Sequence, residues 1–141
     1  MRGGMSFKFE QLDVWKISLE YSDLIYDLAE RLPEHEKFNL RSQITRAATS
    51  ISLNIAEGST GQSDSEQNRF LGMAVRSLIE TIACQRIIAR RNYIADSALL
   101  EEIDQKAQHL AKRLFSFRKV LISNKKSIGE ESVIYETGFI E

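Results

Sequence analysis

The stretch Gln43–Gly58, QITRAATSISLNIAEG, decides the fold of this chain. Its apolar residues recur at the spacing i, i+3, i+4, i+7, which is typical of a helix that buries one stripe. These residues are Ile44, Ala47, Ala48, Ile51 and Ile55. Because Ala47 and Ala48 are small, the stripe predicts that a neighbouring helix approaches closely. We expect Gly58 to end this helix in the left-handed conformation.

Polar side chains lie among these apolar residues instead of being confined to the opposite face. In this stretch they are Gln43, Ser50, Asn54 and Glu57, and Glu80 joins them from the next helix. We expect them to form hydrogen bonds between helices. Glu57 and Glu80 can also act as an acid and base pair if they meet in the core, but a structural role is favoured, and the chain is expected not to be an enzyme.

Length and composition indicate one domain with long helices. A chain of 141 residues can bury a sizeable core, and one proline and seven glycines interrupt it rarely. The single cysteine, Cys84, excludes an internal disulfide framework. No apolar run reaches the roughly 18 residues that span a membrane, and the first residues lack the apolar core of a signal peptide. We therefore expect a cytoplasmic protein without a membrane contact.

The periodicity predicts an all-α protein, an up-down-up-down four-helix bundle. The predicted helices cover residues 9–32, 39–57, 64–91 and 97–123. Ser63 or Asp64 is the expected N-cap of the third helix, and Asp96 or Ser97 that of the fourth. Residues 1–8 and 124–141 are expected to be flexible ends on either side of the bundle at 9–123. The final segment also contains apolar residues that are suited to a contact.

Two of the helices carry specific burial predictions. The first helix is expected to bury a stripe formed by Leu12, Trp15, Leu19, Ser22, Tyr26 and Ala29, widened by Ile25 and Leu28. The third helix has two apolar strips, one containing Phe70, Met73, Ala74, Ser77, Leu78, Thr81 and Ile88, and one containing Leu71, Val75 and Ile82. Two strips predict contact with two helices of the same bundle or with another subunit.

The residues that usually carry catalysis or bind metals are scarce. His35 and His109 have no second histidine or cysteine at the spacing of metal ligands. Cys84 is more typical of a buried structural thiol than of a nucleophile, and no glycine-rich phosphate loop is present. We expect neither a metal nor any other cofactor.

The arginines suggest a phosphate-binding surface. Arg69, Arg76 and Arg90 lie within about 60° of one another on the third helix, with Arg91 beside them, and the second helix adds Arg41 and Arg46. Such a row can follow a nucleic-acid backbone without reading its bases. Two alternatives stay open. The arginines can pair locally, as Arg76 with Glu80 and Arg69 with Glu66, or bind the acidic first helix of a neighbour.

Formal charge is distributed unevenly along the chain. Residues 1–36 contain four Lys/Arg against eight Asp/Glu, whereas residues 37–91 contain eight against four. This segregation is consistent with an anionic partner, and equally with complementary helices or subunits.

A set of residues spread along the chain carries a family resemblance. These residues are Phe9, Leu12, Val14-Trp15, Ile25-Tyr26, Leu32-Pro33, Phe38, Leu40, Gln43-Ile44, Arg46-Ala47-Ala48, Ser50-Ile51, Asn54–Gly58, Phe70-Leu71, Ser77-Leu78, Glu80 and Tyr93-Ile94. In them the sequence resembles the bacterial four-helix-bundle proteins encoded in intervening sequences of 23S rRNA genes, also labelled S23 ribosomal protein. The family is related at a distance to the accessory variability proteins of diversity-generating retroelements. This chain departs from the family pattern where Ser52 replaces proline, Thr45 replaces arginine, and Asn39, Arg76 and Asn92 replace glycine.

The resemblance implies a cytoplasmic protomer that assembles into a ring, a homopentamer, with a basic surface that binds RNA or DNA. In the retroelement relatives, the ring also engages a reverse transcriptase. Thr45 weakens this implied surface, and Arg76 restores charge nearby. Two functions remain open: a nucleic-acid-binding oligomer that uses Arg46, Arg69, Arg76, Arg90 and Arg91, or a scaffold for a protein partner in which the arginines form intersubunit salt bridges.

Overall fold

The structure, a computed structural model, describes residues 4–61 and 63–126, with the side chains of Lys125 and Lys126 left out. Within these residues it contains four α-helices, two short 3₁₀ helices and no strand, which confirms the all-α four-helix prediction. The α-helices are α1 (Asp13–Glu30), α2 (Leu40–Gly58), α3 (Asp64–Arg90) and α4 (Ser97–Lys126). The 3₁₀ helices are Lys8–Gln11 and Glu34–Glu36. Helix α4 ends three residues later than expected, and the remainder of the expected flexible tail lies outside the described residues.

The helices form a square in which each one packs against its neighbours in the chain and α4 returns to α1. The contact between α2 and α3 is the most extensive of the four. Short connections between long helices make antiparallel neighbours the natural arrangement. The outward side of α2 therefore lies beside the outward side of α3.

The predicted N-caps of α3 and α4 are confirmed. The Ser63 hydroxyl accepts a hydrogen bond of 3.0 Å from the backbone N–H of Glu66. The Asp96 carboxylate accepts one of 3.1 Å from the N–H of Leu99. Each bond satisfies a donor that the first turn of a helix leaves free. Asn92 has a φ of 58° just after α3, and this left-handed residue turns the chain toward α4.

The apolar stripe of α2 is buried as expected. Ile44, Ile51 and Ile55 are inaccessible to solvent, and Ala47 and Ala48 are buried beside them. The alanines leave room for helix backbones to approach, which agrees with the extensive contact between α2 and α3.

The prediction for Gly58 is wrong in its mechanism. Gly58 is the last residue of α2 and does not have a positive φ. Its role is close packing, because a Cβ atom placed on it lies 2.8 Å from the Cβ of Phe70 and 3.4 Å from the carbonyl oxygen of Gln67. A glycine here lets the end of α2 lie against the start of α3.

The predicted buried stripe of α1 is also wrong in part. Leu19 and Tyr26 are 42% and 47% exposed. The residues of α1 that are buried are Val14, Ile17, Ser18, Tyr21, Ile25, Leu28 and Ala29. The helix is rotated relative to the prediction because Ser18 and Tyr21 are buried. Both form hydrogen bonds inside the bundle, whereas the apolar pattern predicts these positions at the surface.

Both apolar strips of α3 are used within the chain. Leu71, Val75 and Leu78 are buried, Ile82 is half-buried against the same core, and α3 packs on both α2 and α4. The alternative in which two strips mean two helices of one bundle is therefore the one observed. The strips give no separate support for a contact with another subunit.

A buried hydrogen-bonded chain links α1 to α3 across the core. The Gln85 amide donates to the Tyr21 hydroxyl at 2.7 Å, and the Thr81 hydroxyl donates to the carbonyl of Leu78 at 2.6 Å. The Tyr21 hydroxyl therefore donates to the oxygen of Thr81, which lies 2.7 Å away. Burial raises the pKa of Tyr21, so the phenol remains neutral. Every buried polar side-chain atom of these residues has a hydrogen-bond partner.

One carboxylate ties together the two connections at the same end of the bundle. Glu36, in the connection between α1 and α2, accepts hydrogen bonds from the hydroxyl of Tyr93 at 2.7 Å and from the amide of Asn39 at 2.9 Å. Tyr93 belongs to the connection between α3 and α4 and also lies 3.2 Å from Nε2 of His35. These bonds, led by that from Tyr93, hold the pKa of Glu36 below its ordinary value.

We expect the substitution Gly58→Ala to lower the free energy of unfolding by about 1–3 kcal/mol, because the added methyl group overlaps Phe70. Chemical denaturation measures this change. Gly4→Ala is the control, since a Cβ on Gly4 meets no atom within 4 Å. Equal stability of the Gly58→Ala variant and the wild type contradicts the close approach of α2 and α3.

We expect Glu36→Gln to lower the melting temperature at pH 7, because the charged acceptor of three donors is lost. The pKa of Glu36 is lowered in the folded protein. Its contribution to stability is therefore present above the pKa that Glu36 has in the unfolded chain, and it disappears as the pH falls through the folded pKa. The difference between variant and wild type therefore narrows between about pH 5 and pH 3. Thermal unfolding at several pH values tests this, with the exposed neighbour Glu34→Gln as control. A difference independent of pH contradicts it.

Candidate nucleic-acid interface

The arginines of α3 lie along its outward side. Arg69, Arg76 and Arg90 are exposed, and seven residues, or about 10 Å, separate Arg69 from Arg76. Arg90 lies two such steps beyond Arg76, with the exposed Ala83 between them. Arg91 is the exposed C-cap of the helix. The predicted row of guanidinium groups is therefore presented to solvent along most of α3.

Helix α2 adds Arg46 to this surface. Arg46 is exposed and lies at the edge of an open groove of about 490 Å³ on the outward side of α2. The groove is lined by Tyr26, Thr45, Arg46, Thr49, Ser50, Leu53, Asn54 and Glu57. Its wall mixes hydroxyl and amide groups with two large exposed hydrophobic residues, Tyr26 and Leu53. A groove of this kind suits an extended chain better than an enclosed small molecule.

Hydrogen bonds between α2 and α3 align the two rows of side chains. The hydroxyl of Ser77 donates to that of Ser50 at 2.9 Å, and Asn54, also on α2, supports Ser50 by donating its amide to the same oxygen at 3.1 Å. Farther along, the amide of Gln43 donates to the Glu80 carboxylate at 3.3 Å. We call the surface formed by Arg46, Arg69, Arg76, Arg90 and Arg91 the α2–α3 face.

Glu57 and Glu80 lie at the surface, and the hydrogen bond expected of Glu57 is not observed within the described residues. Glu57 is exposed and has no hydrogen bond or ion pair among the described residues, and Glu80 is exposed beside Gln43. An acid and base pair inside the core is therefore ruled out for these two residues. Glu57 and Glu80 place negative charge on the same outward side as the arginines, which weakens the field of the α2–α3 face locally.

The local pairing alternative holds for one arginine only. Arg69 forms an ion pair of 2.7 Å with Glu66; this hydrogen bond is the main reason why the pKa of Glu66 is lowered. Arg76 does not pair with Glu80. Among residues 4–61 and 63–126, no side chain forms an ion pair or a hydrogen bond with Arg46, Arg76, Arg90 or Arg91.

Arg41, the other arginine of α2, does not belong to this surface. Its guanidinium donates to the carbonyl of Ala29 at 3.1 Å and to that of Leu32 at 2.9 Å. These carbonyls lie at the end of α1, where a helix leaves acceptors without partners. Arg41 thus fixes α2 to the end of α1.

Within the described residues, two carboxylates of the acidic first helix pair with α4, and none pairs with the α2–α3 face. Asp13 pairs with Arg113 at 2.7 Å, and Glu20 pairs with Lys106 at 3.0 Å. Arg31 adds pairs with Asp27 in its own helix and with Asp96. The cations that pair with α1 from α4 lie outside the basic residues 37–91. Within the described residues, four arginines of the α2–α3 face remain without a carboxylate.

The residues considered for catalysis or metal binding lie apart from one another. Cys84 is buried, and burial raises the pKa of its thiol, as expected of a structural cysteine. His35 contacts Tyr93, and His109 is exposed on α4. Within the described part of the chain, no three His, Cys, Asp or Glu residues cluster as metal ligands do.

The described helices also contain no candidate for a membrane span, since none combines sufficient length with sufficient apolar character.

Sequence reasoning missed several polar contacts inside the bundle. Ser18 and Ser52 are buried and share a hydrogen bond of 2.8 Å between α1 and α2. Gln85 is buried and bonded to Tyr21. The partner of Ser52 lies 34 residues away in the sequence, and periodicity along one helix does not reveal such a partner.

Comparisons with known proteins agree with the resemblance found in the sequence. The family model described as 23S rRNA-intervening sequence protein matches residues 10–116. A crystal structure from Bacteroides thetaiotaomicron VPI-5482, described as a protein with unknown function from the S23 ribosomal protein family, has a TM-score of 0.68 and 31% sequence identity. The match covers 75% of this chain and 98% of that chain. No curated protein matches the chain.

Proposed function

This chain belongs to the 23S rRNA-intervening sequence protein family, and we propose that it is a non-enzymatic, homo-oligomeric protein that binds RNA or DNA through the α2–α3 face. Binding in this proposal is to the phosphate backbone and has little sequence specificity. The proposal also includes a cytoplasmic location and a ring of five subunits, as the family resemblance implies.

The observation that carries the proposal is a set of exposed arginines that have no partner within the described residues. Arg46, Arg76, Arg90 and Arg91 are exposed, whereas the basic residues facing α1 pair with its carboxylates. An arginine fork matches phosphate oxygens with two donors. The α3 row is about 30 Å long from Arg69 to Arg90, which suits contacts to several successive phosphates.

A homo-oligomer strengthens weak phosphate contacts. Each copy adds its own α2–α3 face, so that one long nucleic acid binds several faces at once with a large gain in avidity. Exposed apolar side chains offer material for subunit contacts. Two of them, Leu19 on α1 and Val120 on α4, do not belong to α2 or α3.

The alternative function, a scaffold for a protein partner, is supported by a different observation. Asp23 and Glu30 on α1 are exposed and have no cationic partner within the described residues. Arginines of one copy can therefore pair with α1 of the next. In that arrangement the α2–α3 face is covered in the assembly and is not available to nucleic acid.

The combined substitution Arg76→Gln, Arg90→Gln and Arg91→Gln tests the two functions. We expect affinity for a fluorescent RNA hairpin and for a DNA duplex to fall at least about tenfold at low salt, because up to three phosphate contacts are lost. The slope of log Kd against log salt on duplex DNA should decrease by about 0.9 for each lost contact. Fluorescence anisotropy measures both, and light scattering measures the particle mass.

The matched control replaces the exposed lysines Lys16, Lys112 and Lys119 with glutamine, which removes the same charge from α1 and α4. We expect this control to bind nearly as tightly as the wild type. Equal loss in both variants contradicts a specific α2–α3 face. Dissociation of the particle by the arginine variant supports the scaffold function, and no binding of wild type to either nucleic acid at low salt removes the proposed function.

A further inference from the structure

The α2–α3 face carries more positive charge than the described residues neutralise. Arg46, Arg76, Arg90 and Arg91 have no ion pair there, and on that outward side Glu57 and Glu80 are the nearest acidic groups by position along the helices. A cluster of exposed positive charges attracts an acidic segment when such a segment is present at high local concentration.

The chain itself contains such a segment. Residues 127–141, SIGEESVIYETGFIE, have four glutamates and no lysine, arginine or histidine. The same residues include two apolar groups, Val133–Tyr135 and Phe139–Ile140. The combination of acidic and apolar residues differs from a purely solvating acidic tail, which has few aromatic or branched side chains.

The end of α4 lies near the first residue of α3. Near that end, the amide of Asn124 donates to the carboxylate of Asp64, the first residue of α3, at 3.0 Å. The chain therefore leaves the bundle next to the start of α3. Fifteen extended residues reach up to about 50 Å, and the 27 residues of α3 measure about 40 Å. The segment can thus follow α3 from Arg69 to Arg90.

The α2–α3 face also offers apolar contacts. Leu53 in the groove of α2 is 58% exposed, and Ile87 on α3 is 44% exposed. Each lies near arginines, Leu53 two helical turns from Arg46 and Ile87 one turn before Arg90. A ligand that alternates carboxylates with apolar side chains satisfies both kinds of group, whereas a nucleic-acid backbone satisfies the arginines alone.

We propose that residues 127–141 bind the α2–α3 face of their own chain and compete there with nucleic acid. The competition with nucleic acid rests on the proposed function, whereas the binding of the segment to the α2–α3 face does not depend on it. Attachment to α4 gives the segment an effective concentration in the millimolar range, so that weak contacts are sufficient. Its four glutamates then act as an internal replacement for phosphates.

The position of the segment is tested by photo-crosslinking in the full chain. Cys84→Ala removes the buried thiol, and Thr137→Cys supplies a single site for a benzophenone label. After irradiation, we expect a product that runs as a single chain on a denaturing gel, with linked peptides from α2 and α3. High salt, or the added substitutions Arg76→Gln, Arg90→Gln and Arg91→Gln, should reduce these links at least fivefold.

Other crosslinking outcomes overturn the proposal. Links to α1 or α4, or yields no higher than with the arginine variant, show that the segment does not bind this face. Covalent dimers without the single-chain product show that it binds another copy. None of these outcomes depends on nucleic-acid binding, so they are separate from a failure of the proposed function.

The competition is tested by replacing Glu130, Glu131, Glu136 and Glu141 with glutamine in the full chain. We expect the Kd for the RNA hairpin to decrease about 3- to 10-fold at low salt, because the internal competitor is weakened, and the gain to shrink as salt increases. The control replaces Glu30, Glu34, Glu101 and Glu102, which are exposed, and so makes the same change in net charge. An equal gain in the control overturns the competition.

Discussion

The close contact between α2 and α3 is the constraint on which the rest of the structure depends. Gly58 lies against Phe70 without room for a side chain. On the buried side of α2, Ala47 and Ala48 have small side chains that occupy little space. Since the two helices lie so near, Ser50 and Ser77 meet through their hydroxyls. The outward sides of α2 and α3 thereby become one continuous surface, and Arg46 shares it with the arginines of α3.

Charge is divided between the two halves of the bundle. Ion pairs such as Asp13 with Arg113 and Glu20 with Lys106 join α1 to α4. These pairs are largely exposed and contribute little to stability, but they determine which basic residues stay available. Two α4 cations pair with α1, and within the described residues Arg46, Arg76, Arg90 and Arg91 have no carboxylate partner. The proposed nucleic-acid binding and the proposed competition by residues 127–141 both follow from this imbalance.

Polar groups in the interior set the relative rotation of the helices. The chain of bonds from Gln85 through Tyr21 to Thr81 fixes α1 against α3, and the pair of Ser18 and Ser52 fixes α1 against α2. A buried polar atom without a partner is costly, so rotations of α1 that separate these groups are disfavoured. This explains why Leu19 is partly exposed although it is apolar, while Tyr21 is fully buried.

The sequence alone determined the four helices, the N-caps at Ser63 and Asp96 and the burial of the α2 stripe, because helical periodicity and capping are local properties of the chain. It also indicated the family and the exposed row on α3. The tertiary structure decided the rotation of α1, the packing role of Gly58 and which arginines lack a partner among the described residues. These features depend on residues far apart in the sequence, and a hydrogen bond or a steric contact between two helices leaves no signal in the periodicity of either one.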